Sequence, residues 1–361
     1  MQKVIENILK ETPGLKGKEI AKQIGIDRKS VNSFLHNHKD IFTQDDNFFW
    51  FLATPLEQVL ELDAYWVTAD SFERSLLQTG CLLESSSVSV LVKIPEGCKI
   101  MLIASARLLA LLNQLIFIGK KVTVDLTDCA DIKSFFSRDG FFDQLDKRVN
   151  IIPKRPEVSA AEIYKGNSSA LVEFGSIDPK QENKELIGQL GARFVQQSDI
   201  RYEIAALTVF GELIGNVREH SDSKINGFAA LQKYGGNKKH IQTVVSDSGL
   251  GIAKTLRPSL KRYYPNLYKL YKEENVKSDA DLVKTVLSTG EISRFGVGRG
   301  LGFKSSCNQA MKFDAEFSVR QERFCLNFKY KNGLLVDVES QLDLPRIHGT
   351  HLCFDFFVDP V

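Results

Sequence analysis

Four glycines alternate with other residues in Arg294-Phe295-Gly296-Val297-Gly298-Arg299-Gly300-Leu301-Gly302-Phe303. No other stretch limits the fold of this chain as tightly. Glycine tolerates positive φ and lets backbone approach a ligand closely. The residues that follow, Lys304 to Met311, favour a helix. A glycine-rich loop that feeds a helix N-terminus offers backbone N–H groups to anions. The loop is not a Walker A motif, because no Gly-Lys-Ser/Thr follows the spacer. Nor is it a dinucleotide fingerprint: the glycine spacing is wrong and no strand directly precedes it.

Three further elements accompany it. Thr208 to His220 reads as an amphipathic helix, with Glu212 and Asn216 four residues apart on one face. A carboxylate there can take a proton from water, and an amide oxygen can ligate a hard cation. Ile241-Gln242-Thr243-Val244-Val245 is strongly β-prone and leads into Ser246-Asp247-Ser248-Gly249-Leu250-Gly251-Ile252. An aspartate at a strand end can accept a hydrogen bond from an exocyclic amine such as that of adenine. Near the end, Gly349-Thr350-His351-Leu352-Cys353-Phe354-Asp355-Phe356 reads as a closing strand opened by Gly349-Thr350.

These four boxes, in this order, resemble the GHKL nucleotide-binding fold over roughly residues 185–361. That family includes the gyrase B subunit, mismatch-repair ATPases, heat-shock chaperones, histidine kinases and anti-sigma serine kinases. The resemblance implies an α/β sandwich over 166–361 that binds ATP with Mg²⁺. By the same resemblance Asn216 would ligate Mg²⁺ and Glu212 would orient or deprotonate the attacking water. Asp247 would hold the adenine amino group, with Gly249 and Gly251 allowing close approach and Thr350 supporting the contact. Gly298, Gly300 and Gly302, in the box running from Gly296 through Leu301 to Gly302, would cradle phosphate. Residues 253–295 would form the ATP lid. Arg294 and Arg299 flank the loop, and either could stabilise transferring charge. A lid salt bridge is an equal reading for Arg294. The lid tyrosines Tyr263, Tyr264, Tyr268 and Tyr271 read as packing. His220 reads as a structural contact beside Asp222, because no separate phosphoacceptor hairpin precedes the domain.

At the other end, residues 1–53 read as three short helices and a hairpin. Gly25 supplies a tight bend and Asp27 a helix N-cap. Glu19 to Ile26 and Asp27 to Ser33 resemble the helix-turn-helix of winged-helix domains. The resemblance implies a recognition helix whose Arg28, Lys29, Asn32 and Ser33 would contact duplex DNA. This segment holds eight Lys/Arg against seven Asp/Glu. Its electrostatic footprint is weak, and docking on a protein stays open beside DNA binding.

Residues 54–165 between them alternate strands and helices, the signature of a small α/β sheet. The expected elements are a mostly helical Leu56 to Leu83 with Tyr65 and Trp66 packed, strands at 88–94, 121–126 and 149–152, a buried helix at 104–117 and a short helix near 134–145. The Gly119 to Leu126 strand and the residues from Asp125 through Phe142 weakly resemble STAS-like domains, which implies a protein-interaction role. Asp125, Asp128 and Asp131 read as solvated caps rather than metal ligands.

Composition limits the partners. Lys plus Arg number 47 and Asp plus Glu 45, so the net charge is only +2. Coating of nucleic acid or membrane through bulk charge is excluded. The six cysteines show no zinc-ligand spacing. The apolar stretch at 100–118 is interrupted by Arg107, Asn113 and Gln114, and no signal-like leader precedes the first helix. The expectation is a cytoplasmic, multi-domain α/β protein of three domains with no membrane association. Its expected activity is Mg²⁺-dependent ATP binding with slow hydrolysis, used as a switch that drives DNA or partner binding or an ATP-dependent homodimer, in a bacterial regulatory setting. The alternatives are an anti-sigma-like serine/threonine kinase, which would suit a STAS-like neighbour, and a non-catalytic ATP-sensing transcription regulator.

Overall fold

The computed structural model describes residues 1–39, 41–53, 57–63, 65–236, 238–289, 292 and 314–357, with the backbone alone for Lys10, Arg201 and His220. Its residues group into two units, Met1–Gln58 with Ser85–Ser89 and Val59–Glu84 with Val90–Val361. The stretches expected as a central and a C-terminal domain therefore fall almost wholly in one unit. The protein is mixed α/β with several sheets.

The first unit follows its apolar spacing. Helices α1 (Gln2–Glu11), α2 (Gly17–Ile24) and α3 (Arg28–Asn37) precede the hairpin β2 (Phe42–Gln44) and β3 (Phe49–Leu52). A two-residue strand, β1 (Leu15–Lys16), completes a sheet of order β1-β3-β2. Asp27 caps α3 by accepting the Ser30 N–H at 2.9 Å. Ile5, Leu9, Ile20, Val31, Leu35, Phe42 and Trp50 form the core.

The second unit opens with β4 (Glu57–Glu61, from Val59 on), β5 (Trp66–Val67), α4 (Ala69–Thr79), β6 (Ser89–Lys93, from Val90 on) and β7 (Lys99–Ile100). Helix α5 (Leu102–Phe117), β8 (Lys121–Asp125), α6 (Ala130–Arg138), α7 (Phe141–Gln144), β9 (Asn150–Ile152) and α8 (Ala160–Tyr164) follow. A four-stranded sheet has the order β4-β6-β8-β9, and β5 pairs with β7. The expected helix at 56–83 is thus mostly wrong, since only α4 is helical. Leu60 and Leu62 both reach the core, and a period of two is a strand's period. Tyr65 and Trp66 are 63% and 45% exposed rather than packed, and the Lys99 ammonium lies over both rings.

A seven-stranded antiparallel sheet dominates the rest. Its strands are β10 (Leu171–Ile177), β11 (Gly227–Tyr234), β12 (His240–Ser246), β13 (Asp314–Glu322), β14 (Phe324–Lys331), β15 (Leu334–Gln341) and β16 (Ile347–Phe357). The spatial order is β10-β11-β12-β16-β13-β14-β15. Helices α9 (Lys184–Gln197), α10 (Glu203–His220), α11 (Ile252–Tyr263), α12 (Pro265–Leu270) and α13 (Val276–Thr289) connect it. Both faces of its central strands are buried, whereas the edge strand β15 is mostly exposed. Ala229, Leu231, Ile241, Val245, Leu352 and Phe354 pack with the cores of α9, α10, α11 and α13. The alternate residues Phe228, Ala230, Val244 and Cys353 pack with α5. Within the expected lid, α11 and α13 pack on the core through Leu256, Leu260, Val283 and Val286, which recur at helical spacing, whereas no residue of α12 is buried.

Helix α5 is mostly apolar and buried along nearly its whole length. Among the described residues, no helix is long and apolar enough to cross a membrane. Where α5 meets the sheet a charged cluster is sealed in. The Glu73 carboxylate bonds Arg107 Nη1 at 3.0 Å and Arg320 Nε at 2.9 Å, with all three side chains almost fully buried.

Candidate functional site

The site is built where β12 stops. Its residues from Ile241 to Ser246 are all buried, and Asp247 then lies at the strand end, 6% exposed. The Asp247 N–H donates to Thr350 O at 3.0 Å, and Asp247 Oδ1 accepts the Gly249 N–H at 2.7 Å. Thr350 also turns its hydroxyl and N–H to that carboxylate. The same hydroxyl accepts from Gln321 Nε2 at 3.0 Å. Burial outweighs these bonds and pushes the Asp247 carboxyl up to about 6.

Two glycines make this arrangement possible. A Cβ on Gly249 would stand 1.9 Å from the Ser221 carbonyl oxygen. Ser221 is the C-cap of α10, its N–H donating to Val217 O, and its carbonyl oxygen accepts the Leu250 N–H at 2.9 Å, so helix end and turn are locked together. Gly349 has φ +94°, and its Cβ would stand 2.0 Å from the Asp247 carbonyl oxygen. The Gly349-Thr350 and Asp247-Ser248-Gly249 segments therefore lie against each other. Gly251 opens α11 as its N-cap.

Helix α10, whose C-terminal end meets this turn at Ser221, carries the polar pair. Glu212 is exposed and Asn216 is half-buried, one helical turn apart. Asn216 Nδ2 is enclosed and has no hydrogen-bond partner. A half-turn of the amide puts its oxygen in that position. Among the described residues no three His, Cys, Asp or Glu side chains gather as a metal site. A divalent cation here would take the Asn216 oxygen and complete its shell with phosphate and water, as Mg²⁺ does. The donor set fits that ion.

The structure thus brings Asp247, Gly249, Gly251 and Thr350 together, with α10 docked on them. Arg294, Gly296, Gly298, Arg299, Gly300, Leu301 and Gly302 lie outside the described residues, as do the Lys304 to Met311 helix and the His220 side chain. Gln321, Ser221 and Gln114 are site neighbours that the motifs do not contain. Gln114 alone had a signal, as a polar residue inside an apolar run.

Other expectations find their places. Tyr271 donates or accepts a hydrogen bond with Thr285 Oγ1 at 2.7 Å, and Tyr264 packs on the core. Asp125 caps its own turn by accepting the Thr127 N–H and hydroxyl at 3.0 and 2.6 Å. His348 Nδ1 lies 3.2 Å from Glu322, and buried His351 donates from Nε2 to the His348 carbonyl at 3.0 Å. Burial, with Arg320 and Arg107 adding to it, pushes the His351 imidazole down to about 3. In the first unit Arg28, Lys29 and Ser33 are exposed on α3. Asn32 turns its Oδ1 against Gly17, where a Cβ would stand 1.9 Å away.

A comparison with protein-family models finds no match, and neither does a search of the curated proteins.

Proposed function

We propose that this chain binds Mg²⁺·ATP at the β12 turn and acts as a slow, nucleotide-gated ATPase of GHKL type. One observation carries the reading: the buried Asp247 carboxylate, held at a strand end between Gly249 and Thr350. A carboxylate in that place can accept a hydrogen bond from the adenine amino group. Asn216 would hold Mg²⁺ against the phosphates, and exposed Glu212 on the same face would orient the attacking water. The glycine run Gly296 to Gly302, with Arg294 and Arg299, would supply phosphate contacts. The proposed output is contact with duplex DNA through Arg28, Lys29 and Ser33 of the winged-helix-like first unit, supported by their exposure on α3. Nucleotide binding would bias that contact, or a protein contact through residues 54–165, by a change of conformation or self-association.

The test is titration of the full chain with Mg²⁺·ATP, beside the Asp247→Asn variant. The expected result is saturable binding by the wild type and at least tenfold weaker binding by the variant. Equal binding would overturn the assignment of Asp247. Incubation with labelled ATP then separates the chemistries. Free phosphate that disappears in Glu212→Ala supports hydrolysis, and labelled protein supports the kinase. ATP binding without either product supports the sensor.

A further inference from the structure

Strand β16 enters the sheet with an irregular step. Thr350 pairs with Gln321 and Ile347 with Glu322, so three residues of β16 advance while β13 advances one. On the other side, the pairing with β12 ends at His351. The backbone of His348 therefore has no strand partner, and a buried backbone amide without one is costly.

Gln114 of α5 takes the strand's place. Its Oε1 accepts the His348 N–H at 2.9 Å, and its Nε2 donates to the His348 carbonyl at 2.8 Å. The same Nε2 donates to Ser248 Oγ at 2.9 Å. Gln114 is 2% exposed and sits in a helix made mostly of apolar side chains. Burying a primary amide there costs free energy unless its bonds are made. All three lead to the two segments that form the proposed base pocket. Ser248 lies between Asp247 and Gly249, and His348 precedes Gly349-Thr350. The head of α5 is fixed independently, since its Leu102 and Ile103 N–H groups donate to Tyr234 Oη and Gln242 Oε1, both at 2.8 Å.

We propose that Gln114 is a positioning residue for nucleobase recognition, clamping the Asp247 turn and the Gly349-Thr350 segment together from outside the nucleotide-binding segment. The inference rests on the nucleotide reading above. It makes base selectivity depend on α5, so that whatever displaces α5 also loosens the base pocket.

The experiment measures binding of Mg²⁺·ATP, Mg²⁺·GTP and inorganic triphosphate to the full chain by calorimetry, for wild type, Gln114→Leu and Ser248→Ala. Leucine fills a similar volume without the three bonds. Gln114→Leu should weaken ATP about tenfold, as loss of one or two buried hydrogen bonds at a binding site does. It should narrow the ATP/GTP ratio and leave triphosphate affinity unchanged. Ser248→Ala, which removes a single bond, should shift the ATP/GTP ratio two- to threefold in the same direction. A general loss of structure would lower all three affinities together. If Gln114→Leu fails to fold, Ser248→Ala decides alone. An unchanged ATP/GTP ratio in the folded variants, with ATP binding intact in the wild type, overturns this inference and leaves the nucleotide reading standing. No ATP binding by the wild type overturns both.

Discussion

Replacing Asp247 by Asn should make the unliganded protein more stable at neutral pH. The buried carboxyl titrates at about 6 instead of its ordinary 3.8, and burial is the main cause. At about 1.36 kcal/mol per pH unit, that rise corresponds to a penalty of about 3 kcal/mol once the group is ionised. The sign follows from proton binding. Between 3.8 and about 6 the folded state holds this proton more tightly than the unfolded chain. Stability contributed by the group is therefore full below that window and lost as pH rises through it. Asparagine removes the charge. Its Oδ1 still accepts the Gly249 N–H, but its Nδ2 meets the two Thr350 donors, a mismatch of about 1–2 kcal/mol. The net gain should be about 1–2 kcal/mol at pH 7.5 and should vanish near pH 4.5, where the wild-type carboxyl is protonated. Urea unfolding of both proteins at the two pH values measures it. A variant that is less stable at pH 7.5, or a difference that does not change with pH, would refute the reasoning. The proposed ligand should show the reverse: ATP affinity in the wild type should fall as pH drops below about 6.

Three further outcomes follow from the packing. Gly249→Ala should cost about 3 kcal/mol, since the new methyl collides with the Ser221 carbonyl rather than with a movable side chain; chemical denaturation measures it. Glu73→Ala should cost about 3–5 kcal/mol, because it leaves Arg107 and Arg320 buried without their anion, and a urea midpoint that hardly moves would count against that cluster. His351 is held neutral when folded, so its contribution is present above 6.5 and lost as pH falls toward about 3. At pH 5 that loss is about 2 kcal/mol, and His351→Gln should flatten this part of the stability–pH curve in thermal melts.

The two ends of the proposed base pocket were legible for local reasons. Asp247 stands between a β-prone run and two glycines, and Gly349-Thr350 opens another such run. The helix with Glu212 and Asn216 announces itself by its periodicity. Residues 57–67 were misread because short strands with few apolar residues carry little periodic signal, and only core contact reveals that Leu60 and Leu62 point the same way. Gln114 was visible as an interruption of an apolar helix, yet its partners Ser248 and His348 lie 134 and 234 residues away. No local pattern contains that distance.

The sequence by itself determined the short-range parts: the capped helices of the first unit, the β-prone runs that make β12 and β16 strands, and the glycines that permit the turn at Asp247. Tertiary structure alone decided which of these meet. The order β10-β11-β12-β16-β13-β14-β15 brings Thr350 to Asp247 across more than a hundred intervening residues, and burial there raises the carboxyl to about 6. The reason is physical. Backbone propensity and capping act over a few neighbours, whereas desolvation and buried hydrogen bonding depend on whatever the folded chain places alongside.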